Sequence, residues 1–387
     1  MPRDGPLISL PSLPPRRMNH YDDDDEDSDP QQKRWYRYLP LCCAFPPQIR
    51  CTLNSVAHVL RCRAVFLMLA PHPSLLIMFV NYYYRTLHAP VRAVFHLFAI
   101  YTLTFLAFSS LIVVVARDPG PVTAEKTQEA AASDREDESF LEALLAPDDE
   151  QERTPLNWCR RCSAPKPERA HHCSTCGRCV LKMDHHCVWL GSKCIGHRTH
   201  AAFVHFLFCI TALAMYIAIL CISAVYYAFT NPLSIDETTP LHEMFLAFYG
   251  VVISMVIGSF LGYHIYLITT NQTTLESLSP FLLLRYLPPL PPSPEQPKLS
   301  NPPLEHELSL EQRWVVRDAH HHIRLYDVGW RKNWGQVFGW TRPWGWVRRI
   351  TVGGGCVGDG RSFPRNPRAD QMLARLAARL VDADKTR

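Results

Sequence analysis

The sequence predicts an all-α polytopic membrane protein, in which a bundle of four transmembrane helices carries a metal-binding, cysteine-rich module between the second and third spans. Long uncharged apolar stretches alternate with segments rich in Asp, Glu, Arg and Pro. Seven of the 14 cysteines lie between Cys159 and Cys194. The mean hydropathy of −0.08 averages over these two kinds of segment. The contrast between them excludes both a uniform globular chain and a fully disordered one.

Three stretches meet the length that a membrane span requires. A helix needs about 20 apolar residues to cross the hydrocarbon layer with all its backbone hydrogen bonds made. Residues 93–116, 201–229 and 244–270 satisfy this length without one Asp, Glu, Lys or Arg. Buried helices of a soluble protein are the alternative, but three uncharged stretches this long favour spans.

Residues 64–84 form a fourth, less regular candidate, which is the first span in chain order. This stretch is uncharged, but Pro71 and Pro73 interrupt it on either side of His72. Two prolines this close predict a kinked helix, and a re-entrant segment is the alternative.

The charges of the loops predict the orientation. Residues 153–200 contain nine Lys or Arg and only two acids, whereas residues 230–243 contain no Lys or Arg. Because basic loops stay on the cytoplasmic side, we expect the cysteine-rich segment and both termini in the cytosol. The predicted location is an endomembrane (endoplasmic reticulum, Golgi or vacuole) or the plasma membrane.

The remaining segments are predicted to be tails and linkers. The N-terminal tail (1–60) contains the acidic run 22–29 and no apolar signal peptide, an acidic linker covers 117–152, and a C-terminal tail covers 271–387. Within the last, residues 287–303 are rich in proline and 372–381 have amphipathic spacing, which suits a membrane surface or packing on the protein.

The segment from Trp158 to His200 contains the chemistry. Its Cys-x-x-Cys pairs start at positions 159, 173 and 176, and paired histidines stand at 171–172 and 185–186. Such pairs present thiolates to tetrahedral zinc. Six thiolates and two imidazoles make two Cys₃His sites and leave one cysteine over, which this arithmetic alone does not identify. No recognition helix separates the Cys and His pairs, so we expect no nucleic-acid partner.

The motif Met183–Trp189 (MDHHCVW) in this setting resembles the DHHC protein S-acyltransferases, or palmitoyltransferases, including fungal members. Asp118-Pro119-Gly120 matches the family's DPG motif, residues 271–276 (NQTTLE) match its TTxE motif, and residues 333–339 (NWGQVFG) resemble its aromatic C-terminal motif. These matches follow the family's order from about residue 93 to residue 339.

The resemblance implies a ligand set and a catalytic centre. One structural zinc would bind Cys159, Cys162, His172 and Cys179, and the other Cys173, Cys176, His186 and Cys194. Cys187 would carry the acyl group as a thioester, with His185 as general base, Asp184 orienting it and Thr274 holding Asp184. The implied function is protein S-palmitoyl transfer from palmitoyl-CoA to cysteines of membrane-apposed proteins near the bilayer. Further acyl-CoA contacts are expected from Trp189, Phe203, Phe206, Lys166 and Arg169.

The chain also departs from the family pattern. Val188 stands where the family usually has proline, and Cys194 follows Cys187 by seven positions, where six is usual. The asparagines that the family has in this segment are absent here, and Ser192 and Thr199 stand nearby. The alternatives are therefore a weakened member that serves as a zinc-stabilised membrane scaffold or adaptor, and a zinc hydrolase if Cys194 does not bind the metal.

Overall fold

In the computed structural model, the residues described are 63–122, 158–234, 239–290, 300, 302–339, 344–348 and 355–385. The N-terminal tail with its acidic run, most of the acidic linker and residues 291–299 of the proline-rich segment lie outside this set. The described chain is mostly helical, with three short two-stranded sheets in the cysteine-rich segment.

Among the residues described, four helical segments are long and apolar enough to cross a membrane: Arg63–Thr86, Pro90–Ala116, His200–Thr230 and Thr239–Thr269. The fourth of these helices begins at Thr239, five residues before the predicted start of the span at residue 244.

The first of these segments is broken where the prolines predict a break. Helix α1 (Arg63–Leu69) ends before Pro71, and α2 (His72–Met78) restarts with Pro73 in its first turn. The chain then continues as a π-helix, Phe79–Thr86. A proline is tolerated in a first turn because the amide it lacks has no partner there.

Helix α3 (Pro90–Ala116) and helix α5 (Thr239–Thr269) both pack against α4 (His200–Thr230), which is the most buried of the spans. The α4–α5 contact is close at Gly250, where an added Cβ would lie 2.8 Å from the Ala214 carbonyl oxygen. Small residues let membrane helices approach in this way.

The segment between α3 and α4 is built from three antiparallel hairpins. They pair β1 (Trp158–Cys159) with β2 (Ala164–Pro165), β3 (His171–Cys173) with β4 (Arg178–Val180), and β5 (His185–Cys187) with β6 (Lys193–Ile195). Because the strands are only two or three residues long, their backbone hydrogen bonds alone do not explain why the hairpins are folded. Their register instead brings Cys and His side chains together.

In the described part of the chain after the fourth span there are five further helices. They are α6 (Thr274–Leu278), α7 (Leu310–His322), α8 (Trp330–Phe338), α9 (Gly345–Arg348) and α10 (Ala369–Lys385), with 3-10 turns at Pro232–Ser234, Pro280–Tyr286 and Glu305–Glu307. The amphipathic C-terminal stretch packs on the protein: Leu373, Leu376 and Leu380 of α10 are buried in a cluster with Val316 of α7.

The aromatic C-terminal motif packs against the end of the fourth span. Asn333 is buried and donates to the Thr269 carbonyl oxygen at 2.8 Å, and Trp334 Nε1 donates to the Thr269 hydroxyl at 3.1 Å. This contact fixes the C-terminal segments at the end of the bundle where the cysteine-rich hairpins also lie.

Candidate active site and metal sites

Eight side chains of the hairpins form two groups, each with three thiols and one imidazole. The first group is Cys159, Cys162, His172 and Cys179, and the second is Cys173, Cys176, His186 and Cys194. Within each group the ligand atoms lie within 4.8 Å of one another.

The donor set of each group fits a structural zinc. His172 Nδ1 lies 3.2 Å from Cys162 Sγ, and His186 Nδ1 lies 3.4 Å from Cys176 Sγ. Tetrahedral zinc, with Zn–S about 2.3 Å and Zn–N about 2.0 Å, separates its ligand atoms by about 3.5 Å. Four protein ligands would leave no open position for a water molecule.

Strand register explains why these residues meet. In the β3–β4 hairpin His172 stands opposite Cys179, and in the β5–β6 hairpin His186 stands opposite Cys194. Cys194 therefore joins its group despite the extra residue, which is accommodated in the turn between the strands. The condition that would have favoured a hydrolase, a missing fourth ligand at Cys194, is not met in this arrangement.

Asp184 is held from two sides. Thr274 donates to it twice, from its backbone amide to Oδ1 at 2.9 Å and from its hydroxyl to Oδ2 at 2.7 Å. His185 Nδ1 donates to Oδ2 at 2.7 Å. Asp184 is only 2% exposed, so these bonds replace the water that the carboxylate loses on burial.

The thiol of Cys187 lies close to His185 and contributes to the pKa of that histidine. Burial by itself would lower the pKa of His185, but the hydrogen bond to Asp184, the charge of Asp184 and the neighbouring Cys187 raise it to about 9. Burial would raise the pKa of Asp184, but the bond to His185 and the charges of the nearby imidazoles bring it below its usual range. A histidine that is oriented by a carboxylate and lies beside a thiol is suited to activating that thiol.

Cys187 and His185 line an apolar cavity of about 870 Å³. The cavity lies among α1, α4 and α5, and Trp189, Phe203 and Phe206 also contribute to its wall. These are the three aromatic residues expected to contact an acyl chain. Phe203 and Phe206 are buried, whereas Trp189 is about half exposed.

Arg169 is not placed as a phosphate ligand, which corrects the expectation for that residue. Its guanidinium is fully buried and forms two 2.7 Å hydrogen bonds with the Glu276 carboxylate. It also lies 4.3 Å from the centre of the Tyr326 ring. Arg169 therefore joins the hairpins to α6 and to the C-terminal segment. Lys166 is partly exposed.

Two histidines beside the Asp184–His185 pair were not among the site residues predicted from the sequence. His200 and His264 are both buried, and neither His264 ring nitrogen nor Nε2 of His200 has a hydrogen-bond partner among the described residues. An imidazole nitrogen of His264 lies within 4.8 Å of ligand atoms of Asp184 and His185. A histidine inside an apolar span is itself a functional signal, and it was available in the sequence.

Residues 152–280 match the family model described as DHHC palmitoyltransferase. This range contains both metal groups, the Asp184–His185–Cys187 site and Thr274.

Curated relatives are similar to part of the chain. Palmitoyltransferase pfa3 of Emericella nidulans is 40% identical over 141 residues, which are 34% of this chain and 25% of that protein. Probable protein S-acyltransferase 15 of Arabidopsis thaliana is 36% identical over 176 residues, 45% of this chain and 63% of that protein. Palmitoyltransferase ZDHHC2 of Homo sapiens is 38% identical over 122 residues, 32% of this chain and 33% of that protein.

Each match thus covers less than two thirds of the relative's length. The family model covers the cysteine-rich hairpins, the third and fourth spans and the start of the segment after the fourth span. Through this domain the chain is similar to the DHHC palmitoyltransferases.

Proposed function

We propose that this chain is a protein S-palmitoyltransferase, which moves a long-chain acyl group from acyl-CoA through a thioester on Cys187 to cysteines of other proteins. The observation that carries the proposal is one continuous arrangement. Thr274 holds Asp184, Asp184 holds His185, and His185 and Cys187 line the same apolar cavity among the spans.

The first half-reaction loads the enzyme. His185 Nε2 takes the proton of Cys187, and the thiolate attacks the carbonyl carbon of the acyl-CoA thioester. The new C–S bond forms as the bond to CoA breaks, and His185 returns the proton to the departing CoA thiolate.

The second half-reaction repeats this chemistry with a protein thiol. His185 takes the proton of the substrate cysteine, whose thiolate attacks the Cys187 thioester, and Cys187 regains a proton as it leaves. A thioester is exchanged for a thioester in both steps, so the transfer needs no nucleotide.

The cavity provides the binding energy for the chain. Each buried methylene contributes about 0.8 kcal/mol, and the Phe203 and Phe206 walls offer an apolar surface beside the reacting sulfur. The CoA headgroup would remain outside the bilayer, and Lys166 is proposed as a contact for its phosphates.

The two Cys₃His groups are proposed to hold structural zinc. Zinc there supplies crosslinks that hold the short hairpins together. His186 and Cys187 are consecutive in β5, so ordering His186 also orders the catalytic loop.

We propose that the hairpins and both termini face the cytosol, as the basic excess of residues 153–200 indicates. The membrane would be the endoplasmic reticulum, Golgi, vacuole or plasma membrane. Substrates are then proteins on the cytosolic side whose cysteines lie close to the bilayer.

The test is the intact mass of the detergent-purified protein after incubation with palmitoyl-CoA. We expect one acyl adduct that hydroxylamine removes and that Cys187→Ala abolishes. Cys221→Ala is the matched control, because Cys221 is buried in α4 and does not line the cavity. A folded, zinc-loaded protein that forms no adduct would overturn the transferase and favour the scaffold or adaptor function.

A further inference from the structure

The turn that contains the extra residue has a defined backbone. Strand pairing sets Cys187 opposite Lys193, so residues 188–192 connect β5 to β6. Two consecutive residues at the end of this turn are left-handed, Gly191 with φ 72° and Ser192 with φ 51°. A left-handed serine is uncommon, and here it directs the side chain back towards β5.

The Ser192 hydroxyl meets a metal ligand. Its Oγ lies 3.0 Å from Nε2 of His186. The other nitrogen of that ring, Nδ1, faces the thiols of Cys173, Cys176 and Cys194 at 3.4–3.7 Å. When Nδ1 binds a metal, Nε2 must carry the proton, so it donates to the serine oxygen.

The first metal group has no such contact. His172 directs Nδ1 to its three thiols in the same way, but within the described residues its Nε2 forms no hydrogen bond with a side chain. The two sites share the same donor set and differ in this outer contact. They therefore provide an internal comparison within one molecule.

The next residue anchors the turn to a span. Lys193 Nζ donates to the Val115 carbonyl oxygen at 2.5 Å. Val115 lies in the last turn of α3, where carbonyl groups have no partner within the helix and the helix dipole favours a cation. Lys193 adjoins the ligand Cys194 and is paired with Cys187, so the anchor limits movement of both.

We infer that Ser192 is a positioning residue for the second metal: it accepts the Nε2 proton of His186 and holds the ring at the His186–Cys194 site, while Lys193 anchors the turn. This inference rests on the proposed zinc sites. The turn that contains the extra residue thereby supplies an outer-sphere contact to the second metal group.

The experiment measures metal release from the full-length protein in detergent. The chelator 4-(2-pyridylazo)resorcinol reports the rate, and N-ethylmaleimide labelling followed by peptide mass spectrometry reports which cysteine group is freed. For Ser192→Ala we expect zinc to leave the second group about 10-fold faster or more, with the first group unchanged. Ser174→Ala is the matched control, because that serine is exposed in the same metal knuckle.

Ser192→Asn separates the contact from general damage. Asparagine tolerates left-handed backbone and its amide oxygen accepts a hydrogen bond, so the release rate should return towards the wild-type value. Unchanged release in Ser192→Ala, or equal acceleration in both groups, overturns the inference. A wild-type protein without zinc overturns the metal sites as well, whereas absent acyl transfer in a zinc-loaded protein overturns only the transferase.

Discussion

The hydroxyl of Thr274 donates a 2.7 Å hydrogen bond to Asp184 Oδ2, although 90 positions separate the two residues. Thr274 begins α6, directly after the fourth span, and Asp184 lies in the turn before β5. The Thr273 side chain caps α6 and Glu276 returns the bond, so the helix start that presents Thr274 is itself fixed. Asp184, which bonds to the proposed general base His185, is therefore held by a residue from outside the cysteine-rich segment.

This relationship predicts a graded loss of acyl loading. Asp184→Asn should slow loading of Cys187 by about 10²–10⁴-fold, because the amide neither charges nor orients His185. Thr274→Val removes one charge-assisted bond of about 1.5–3 kcal/mol and should slow loading by about 10–100-fold. Thr274→Ser keeps the hydroxyl and should load near the wild-type rate. Single-turnover intact mass distinguishes the variants, and equal losses in all three would contradict the graded role.

Removal of the metal should abolish activity because the hairpins that hold the site unfold without it. We expect chelation to release two zinc ions per chain, to expose the six ligand cysteines to maleimide and to abolish acyl loading together. The helical spans depend on apolar packing, so far-ultraviolet circular dichroism should change little. Loading that survives after complete zinc loss would contradict a structural role for the metal.

Breaking the Arg169–Glu276 pair should destabilise the junction of the hairpins and α6 more than breaking an exposed pair. Glu276→Gln leaves a fully buried guanidinium without its counter-ion, and the expected loss is about 3–5 kcal/mol in the free energy of unfolding. Arg379→Gln breaks an exposed pair with Asp318 and should cost at most about 1 kcal/mol. Thermal midpoints of the zinc-loaded proteins compare the two. Equal midpoints would show that the buried pair contributes no more than a surface pair.

Gly196 should not tolerate a side chain. A Cβ there would lie 2.6 Å from Val180 Cγ1 and 2.9 Å from the Pro119 carbonyl oxygen, where the DPG motif passes β4. Gly196→Ala should therefore lower stability by about 1–3 kcal/mol or more. Gly262→Ala in α5 is the control, since an added Cβ there meets nothing within 4 Å. A thermal midpoint for Gly196→Ala as high as that of the control would contradict the close packing.

Local sequence patterns predicted the features that depend on residues close together in the chain. Apolar length identified the four helical segments, and Cys–His spacing together with the family resemblance named the metal groups that the strand register assembles. The role of Arg169 was not predictable from its charge, because its partner Glu276 lies 107 positions away. The Ser192 contact depends on a left-handed turn that two strands impose, and no spacing rule describes it.

Substitution of His264 should separate an effect on acyl loading from an effect on stability. Its ring packs 4.6 Å from that of Phe260 and 5.1 Å from that of Phe203, yet both nitrogens lack a partner among the described residues. An unsatisfied buried polar group costs about 1–3 kcal/mol, so His264→Phe should keep or raise the thermal midpoint. If the imidazole bonds the Asp184–His185 pair during the reaction, the same variant should slow acyl loading about tenfold, the value of one hydrogen bond. His264→Gln, which retains a donor and an acceptor, should load faster than His264→Phe. A more stable His264→Phe protein that loads at the wild-type rate would assign the histidine to packing alone.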